Sequence, residues 1–158
     1  MTGLEPPRLI LPMPAFEITT LSARDHDALV QLWDEAGLHH FPSGRDARDA
    51  LVTQMSLSYC RFMGIRGEGG ALEGAAIATH EGRKGWINRL AVRPSARRTG
   101  MARALVAACE DWLISQGIGL FAALVEGDNR DSQALFSACD YDRDDTLVYF
   151  RKAVRQDI

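Results

Sequence analysis

Between Arg83 and Arg103 the chain carries seven basic side chains (Arg83, Lys84, Arg89, Arg93, Arg97, Arg98 and Arg103) and no acidic one. The whole sequence holds 18 basic and 21 acidic residues, so the rest is strongly acidic, 11 against 21. Arg97, Arg98 and Arg103 surround Gly100, where a helical apolar period begins. A helix N-terminus carries about half a positive charge and ordinarily attracts acids. Arginines there are misplaced for an ordinary helix and well placed for a bound anion, because free N–H groups, dipole and guanidinium all favour negative charge. A glycine lets a phosphate approach the backbone closely. The competing reading of the same charges is a solvated basic loop. Neither a Gly-Lys-Ser/Thr phosphate loop nor a Gly-x-Gly-x-x-Gly dinucleotide fingerprint is present.

The elements that must position these residues are legible around them. Residues 86–92 are rich in apolar and β-forming side chains, and Pro94 ends the run because it cannot donate to a ladder. Met101, Leu105, Ala108 and Trp112 then fall on one helical face, and Gly117 supplies the stop. Upstream, Phe16–Leu21 reads as a strand and Ser22-x-x-Asp25 as a capping box. Leu29, Leu32, Trp33 and Ala36 form an amphipathic helix closed by Gly37. A loop with His39, His40 and Pro42 leads to a second helix over 45–56. Strands at 61–66, 73–80 and 86–92 form a meander, 120–126 is a buried parallel strand, 131–139 a short helix, and 141–142 with 146–152 a closing hairpin. Proline-rich residues 1–15 form an extended N-terminal tail, and 16–158 a single domain.

A chain of 158 residues with 46% hydrophobic and 25% charged residues is an ordinary globular composition. No apolar run reaches 18 residues, and no basic-then-apolar leader pattern stands at the start. Cys60, Cys109 and Cys139 are odd in number and far apart, which suggests neither a zinc site nor a disulfide framework. A reducing cytoplasm is the expected setting, with the thiols acting as small core residues.

The pattern Val92-x-Pro94-x-x-Arg97-Arg98-x-Gly100-Met101-Ala102-x-x-Leu105 resembles the pyrophosphate loop of the GNAT superfamily of acyl-CoA-dependent N-acyltransferases. Its core signature, Gln/Arg-x-x-Gly-x-Gly/Ala, is matched by Arg97, Gly100 and Ala102. A second stretch is similar too: Asn129, Ser132, Phe136, Asp140 and Tyr141 occupy the family's Asn, Ala, Tyr, Gly and Phe positions, with only Asn129 identical. The resemblance covers about residues 16–153. It implies an α/β GNAT fold: a mixed central sheet of about six or seven strands with about four helices, splayed between 86–92 and 120–126.

The same resemblance implies transfer of an acetyl group from acetyl-CoA to a primary amine, by direct attack in a ternary complex and without a metal. The pyrophosphate would meet the backbone N–H groups of Arg98, Thr99, Gly100, Met101, Ala102 and Arg103, with Arg97 also in the cofactor site. Pantetheine would pair with Leu90, Ala91 and Val92, and Asn129 and Phe136 would complete the cofactor site. Phe136 stands where relatives often have a proton-donating tyrosine, and a phenyl ring has no proton to give. A thiol with a pKa near 8.5 can also depart toward water. Ile87 is odd and Leu90 and Val92 even, a switch of apolar parity. A β-bulge would produce it, as would a strand buried on both faces; a bulge would free a backbone N–H near residue 90 for an oxyanion.

Candidates for proton transfer are Glu81 and Tyr149, with His80 and Glu126 behind them. Each also reads as a plain turn, strand-end, capping or sheet residue. Asn88 stands where some relatives have a glutamate, and an amide is no base, so a water chain is a further candidate. By resemblance, Trp33, the 37–44 loop, Trp86 and Tyr149 line the acceptor site. Adjacent His39 and His40 converge poorly on one metal ion. A homodimer through the last strands would fit the family. Two other classes compete: an acyl-CoA-binding regulatory or sensor module, which Phe136 and Asn88 would suit, and a nucleic-acid-binding domain. Net acidity and the lack of a helix-turn-helix pattern argue against the latter, and no membrane partner is implied.

Overall fold

Small residues thin the middle of the sheet and let helices close on both its faces. The computed structural model describes residues 16–158, and the expected tail over 1–15 lies outside them. Strand β1 (Ile18–Thr20) and a 3-10 turn lead into helix α1 (His26–Glu35), then α2 (Arg48–Met55). The meander follows as β2 (Cys60–Arg66), β3 (Leu72–His80) and β4 (Gly85–Val92). Helix α3 (Met101–Ser115), strand β5 (Phe121–Ala122) and helix α4 (Arg130–Ala138) complete the order. The five strands lie in sequence order, antiparallel up to β4 and parallel between β4 and β5.

Strand alternation sends one set of side chains to each helix layer. Met63, Ile65, Ala76, Ala78 and Ile87 pack with Met101, Leu105, Cys109 and Leu113 of α3 and with Phe136 of α4. Phe62, Leu72, Ala75, Ile77 and Ala91 pack with Leu29, Leu32 and Trp33 of α1 and with Leu51 of α2. Burial of each large apolar side chain contributes about 1.5–3 kcal/mol. Two glycines decide how closely α3 lies. A Cβ on Gly74 would stand 2.8 Å from Met101 Sδ, and one on Gly85 2.6 Å from Leu113 Cδ1. The start of α3 is therefore seated against β3 and its end against β4 by residues that have no side chain.

The expected order of elements is found as far as α4, with differences of physical origin. Helix α2 begins at Arg48 rather than 45, because the buried Asp46 carboxylate accepts the Phe41 N–H at 2.8 Å and keeps 41–46 as a turn. Asp25 takes the Ser22 N–H at 2.8 Å as the capping pattern predicts, but the box spans a 3-10 turn that Asp25 closes, and Asp25 also pairs with Arg66. Strand β5 is two residues long, and among the described residues no strand follows it, so the sheet has five strands rather than six or seven. Over 146–152 both parities are apolar. A strand of that kind needs cover on both faces, and the described residues put none there: Leu147, Val148, Tyr149 and Phe150 are 67–88% exposed. The three cysteines are free. Burial pushes the Cys60 thiol up to about 11 and the Cys109 thiol up to about 12, so both are neutral core groups. No helix among the described residues is long and apolar enough to cross a membrane.

Candidate active site

β4 and β5 share a ladder only at Gly85–Phe121 and Trp86–Ala122. Beyond those pairs they part, and the end of β4 lies along an open cleft of about 630 Å³. Leu90, Ala91 and Val92 line it, as do Arg97, Arg98, Gly100, Met101, Ala102, Arg103 and Asn129. The structure thus brings together all of the expected cofactor residues except Thr99 and Phe136. Thr99 turns its hydroxyl back to donate to the Ala96 carbonyl at 2.7 Å, which closes the loop on itself. Phe136 is buried in the core, edge-on to Tyr141 at 5.1 Å.

The mouth of the cleft is the start of α3. Gly100 sits at its N-cap with φ 87° and Arg98 has φ 63°, both left-handed. That conformation costs a side-chain-bearing residue about 1–2 kcal/mol. It turns the chain so that the helix ladder starts only with Ala104 N–H to Gly100 O at 3.1 Å. The N–H groups of Met101, Ala102 and Arg103 lie ahead of that bond, as first-turn donors do. The guanidinium groups are held differently. Arg97 donates to Val92 O at 3.3 Å and reaches Ala36 O at 3.5 Å, across to the end of α1. Arg103 donates to Ala138 O at 3.2 Å, tying α3 to α4. Arg98 is exposed and has no side-chain hydrogen bond among the described residues. Asn129 caps α4, its Oδ1 accepting the Ser132 N–H at 3.1 Å.

The parity switch in β4 is a β-bulge. Ala75 faces Ala91 and Ile77 faces Asn88, so Arg89 and Leu90 together oppose the single residue Ala76. Ile87 consequently packs on the α3 face and Ala91 on the α1 face, although their numbers share a parity. Arg89 has φ 53°. Its guanidinium lies 4.1 Å over the Trp33 ring, donates to His39 O at 2.6 Å and stands 3.8 Å from Asp46. Burial pushes its pKa down, opposed by Asp46. Sequence reasoning missed this residue, and also Ala36, Asp131, Ser132, Ala134 and Leu135, which line the cleft; Leu38, from the expected acceptor loop, lines it too. Their part depends on how distant segments meet, which local spacing does not report.

The remaining candidates sit elsewhere. Glu81 is exposed in the β3–β4 turn, its Oε1 accepting the Lys84 N–H at 3.0 Å, at the end of β4 opposite the α3 loop. His80 accepts the Gly82 N–H at 3.2 Å and packs against Trp112 at 5.6 Å. Tyr149 and Glu126 are exposed. Trp86 is half-buried at the start of β4 with the Lys84 ammonium 5.3 Å over its ring. Trp33 is fully buried beneath Arg89. Asn88 donates to the Thr79 hydroxyl at 3.2 Å. His39 packs edge-on to Phe41, whereas His40 lies 3.4 Å from Asp34.

A mixed sheet that splays where its parallel pair begins, with a glycine-opened helix start at the mouth, defines the acetyltransferase class of α/β folds. The sequence model of the acetyltransferase (GNAT) family matches residues 26–141, and the chain belongs to that family. An acetyltransferase of Yersinia enterocolitica is 23% identical over 138 residues, covering 87% of this chain and 96% of its own. One of Sodalis glossinidius is 27% identical over 141 residues, covering 89% and 97%. Among solved structures, aminoglycoside 6'-N-acetyltransferase AAC(6')-Ih from Acinetobacter baumannii shares the fold, with a TM-score of 0.73 at 18% identity over 89% of this chain and 100% of that one. PaiA N-acetyltransferase from Thermoplasma acidophilum, solved with coenzyme A, has a TM-score of 0.70 at 17% identity over 79% and 88%.

Proposed function

We propose that the protein moves an acetyl group from acetyl-CoA to a primary amine by direct attack in a ternary complex. The observation that carries this is the left-handed Gly100 at the start of α3, which sets the first-turn N–H groups of the helix and Arg98 at the mouth of a cleft walled by the end of β4. The cradle suits a pyrophosphate, since it offers backbone donors, a helix dipole and cations together. The edge at Leu90–Val92 suits an amide-rich arm. In the reaction the amine nitrogen bonds to the thioester carbon, the carbon–sulfur bond breaks, and the thiolate leaves and gains a proton. Charge developing on the carbonyl oxygen would be met by the Leu90 N–H at the bulge. Phe136 offers no proton, so the thiolate takes one from water. The ammonium form of the acceptor loses its proton to water, or to Glu81 or Tyr149 if the acceptor brings either within reach.

The acceptor side is bounded by Leu38 and the loop beside it. Structural neighbours that are named aminoglycoside acetyltransferases support an amine-bearing acceptor, as does the acidic surface outside the basic window. The four exposed apolar residues at 147–150 support a homodimer in which this segment finds its partner in a second copy. Light scattering would give twice the chain mass, and replacing Phe150 with Asp would return a monomer. The free thiols suit a cytoplasmic setting. Asn88 and Phe136 favour a second reading, an acyl-CoA sensor with little turnover, which release of free thiol on mixing with amines separates from the first.

The test is a thermal shift with acetyl-CoA, coenzyme A and ATP. Ligand at 100 times its Kd adds about 2.7 kcal/mol, which for a domain of this size is about 5–10 °C. A rise of that size with both CoA species and none with ATP is expected. No rise with either would end the acyltransferase reading.

A further inference from the structure

We infer that Arg89 is a positioning residue of the transfer reaction: its side chain fastens the 37–46 loop to the β4 bulge, so that the acceptor side and the Leu90 backbone are set as one unit. The inference rests on the acyltransferase reading of the cleft. Within β4, Arg89 alone has a positive φ, 53°. Arginine has neither the missing Cβ nor the short self-bonding side chain that makes this region accessible to glycine, asparagine or aspartate. Something outside the strand must hold it there.

The side chain supplies the hold, and every contact it makes is remote in sequence. It lies over Trp33 at 4.1 Å, donates to the His39 carbonyl 50 positions away, and stands 3.8 Å from Asp46. Asp46 in turn accepts the Phe41 N–H at 2.8 Å and shapes the same loop. The arrangement is a poor device for stability. At 3.8 Å the ion pair is too long to be a hydrogen bond, and Nε and Nη2 are buried without a partner among the described residues. An apolar side chain packed on Trp33 would avoid burying that charge. It could not grip the His39 carbonyl, which fixes where the loop lies relative to the bulge. The two ends meet at the cleft: Leu38 precedes His39, Leu90 follows Arg89, and both line the cavity.

A pair of variants separates positioning from bulk stability. Arg89→Ala and Arg89→Gly both lose the tether and the charge, but glycine adopts φ 53° without strain. Arg89→Ala should lower kcat by about 10–100-fold, part of what removing an oxyanion donor costs, and leave KM for acetyl-CoA within about twofold. Arg89→Gly should recover kcat to within about fivefold of wild type, while KM for the amine rises equally in both. If the single variants unfold, the same comparison in an Asp46→Asn background removes the buried carboxylate, which would otherwise keep only Arg45 at 3.9 Å, and retains an acceptor for the Phe41 N–H. Amide exchange on the coenzyme A complex gives a readout that needs no turnover: Arg89→Ala should speed exchange at 38–46 and at 89–91 together. Equal kcat in the alanine and glycine variants, or faster exchange in only one of the two segments, overturns the inference. Wild-type protein that binds coenzyme A but acetylates no amine counts against the acyltransferase reading alone, and the exchange result still decides Arg89.

Discussion

The two walls of the cleft are built in different ways. The proposed cofactor wall is mainly one continuous stretch, 90–103, with the start of α4 beside it, and the stretch offers mostly backbone: the end of β4, a left-handed turn and the first N–H groups of α3. The proposed acceptor side is set by three separate stretches: Leu38 borders the cleft, and behind it Arg89, seated on the buried Trp33, holds the His39 carbonyl of the 37–46 loop. A backbone-made site demands particular conformations and so restricts residue types locally. A side-chain-made site demands only that distant segments meet, and its residue types are free to vary.

Gly100→Glu should have the largest effect and bear on the first wall only. A side chain at φ 87° strains the turn and puts a carboxylate where an anion must sit, so coenzyme A affinity should fall by more than about 100-fold. Isothermal titration measures it, and exchange at 38–46 should not change. If the loop also loosens, the walls are not independent. Next come the two adjacent arginines. Arg98→Ala should raise KM for acetyl-CoA about tenfold, the worth of a charged hydrogen bond. Arg97→Ala should raise it only about two- to threefold, because that guanidinium is engaged by Val92 and Ala36 carbonyls. Steady-state kinetics at two salt concentrations would show the steeper salt dependence for Arg98. Trp33→Phe should be mildest, weakening the contact under Arg89 by about 0.5–1 kcal/mol and raising KM for the amine about two- to fivefold with acetyl-CoA unaffected.

This division explains what could be read from the sequence. Pro94, Gly100 and the period from Met101 to Trp112 each restrict a local conformation, and they point to the strand, turn and helix that the structure places along the cleft. Even the bulge left a trace, in the parity of Ile87 against Leu90 and Val92. Arg89 left none, because its partners lie about 50 positions upstream. Glu81 follows from a strand end and Tyr149 from its place on the expected last strand, and the structure leaves both outside the cleft lining. The run at 146–152 has the composition of a strand, but composition does not supply a neighbour, and none is found among the described residues.

That run also bears on how the protein behaves at high concentration. Leu147-Val-Tyr-Phe150 is short, uncharged, rich in β-formers and free of proline, which is the profile of a segment that templates intermolecular stacking. It is bracketed by Asp144 and Asp145 on one side and Arg151 and Lys152 on the other, charges that act as gatekeepers against such growth. Neutralising those flanks should convert a soluble preparation into one that precipitates, with the fold upstream still intact.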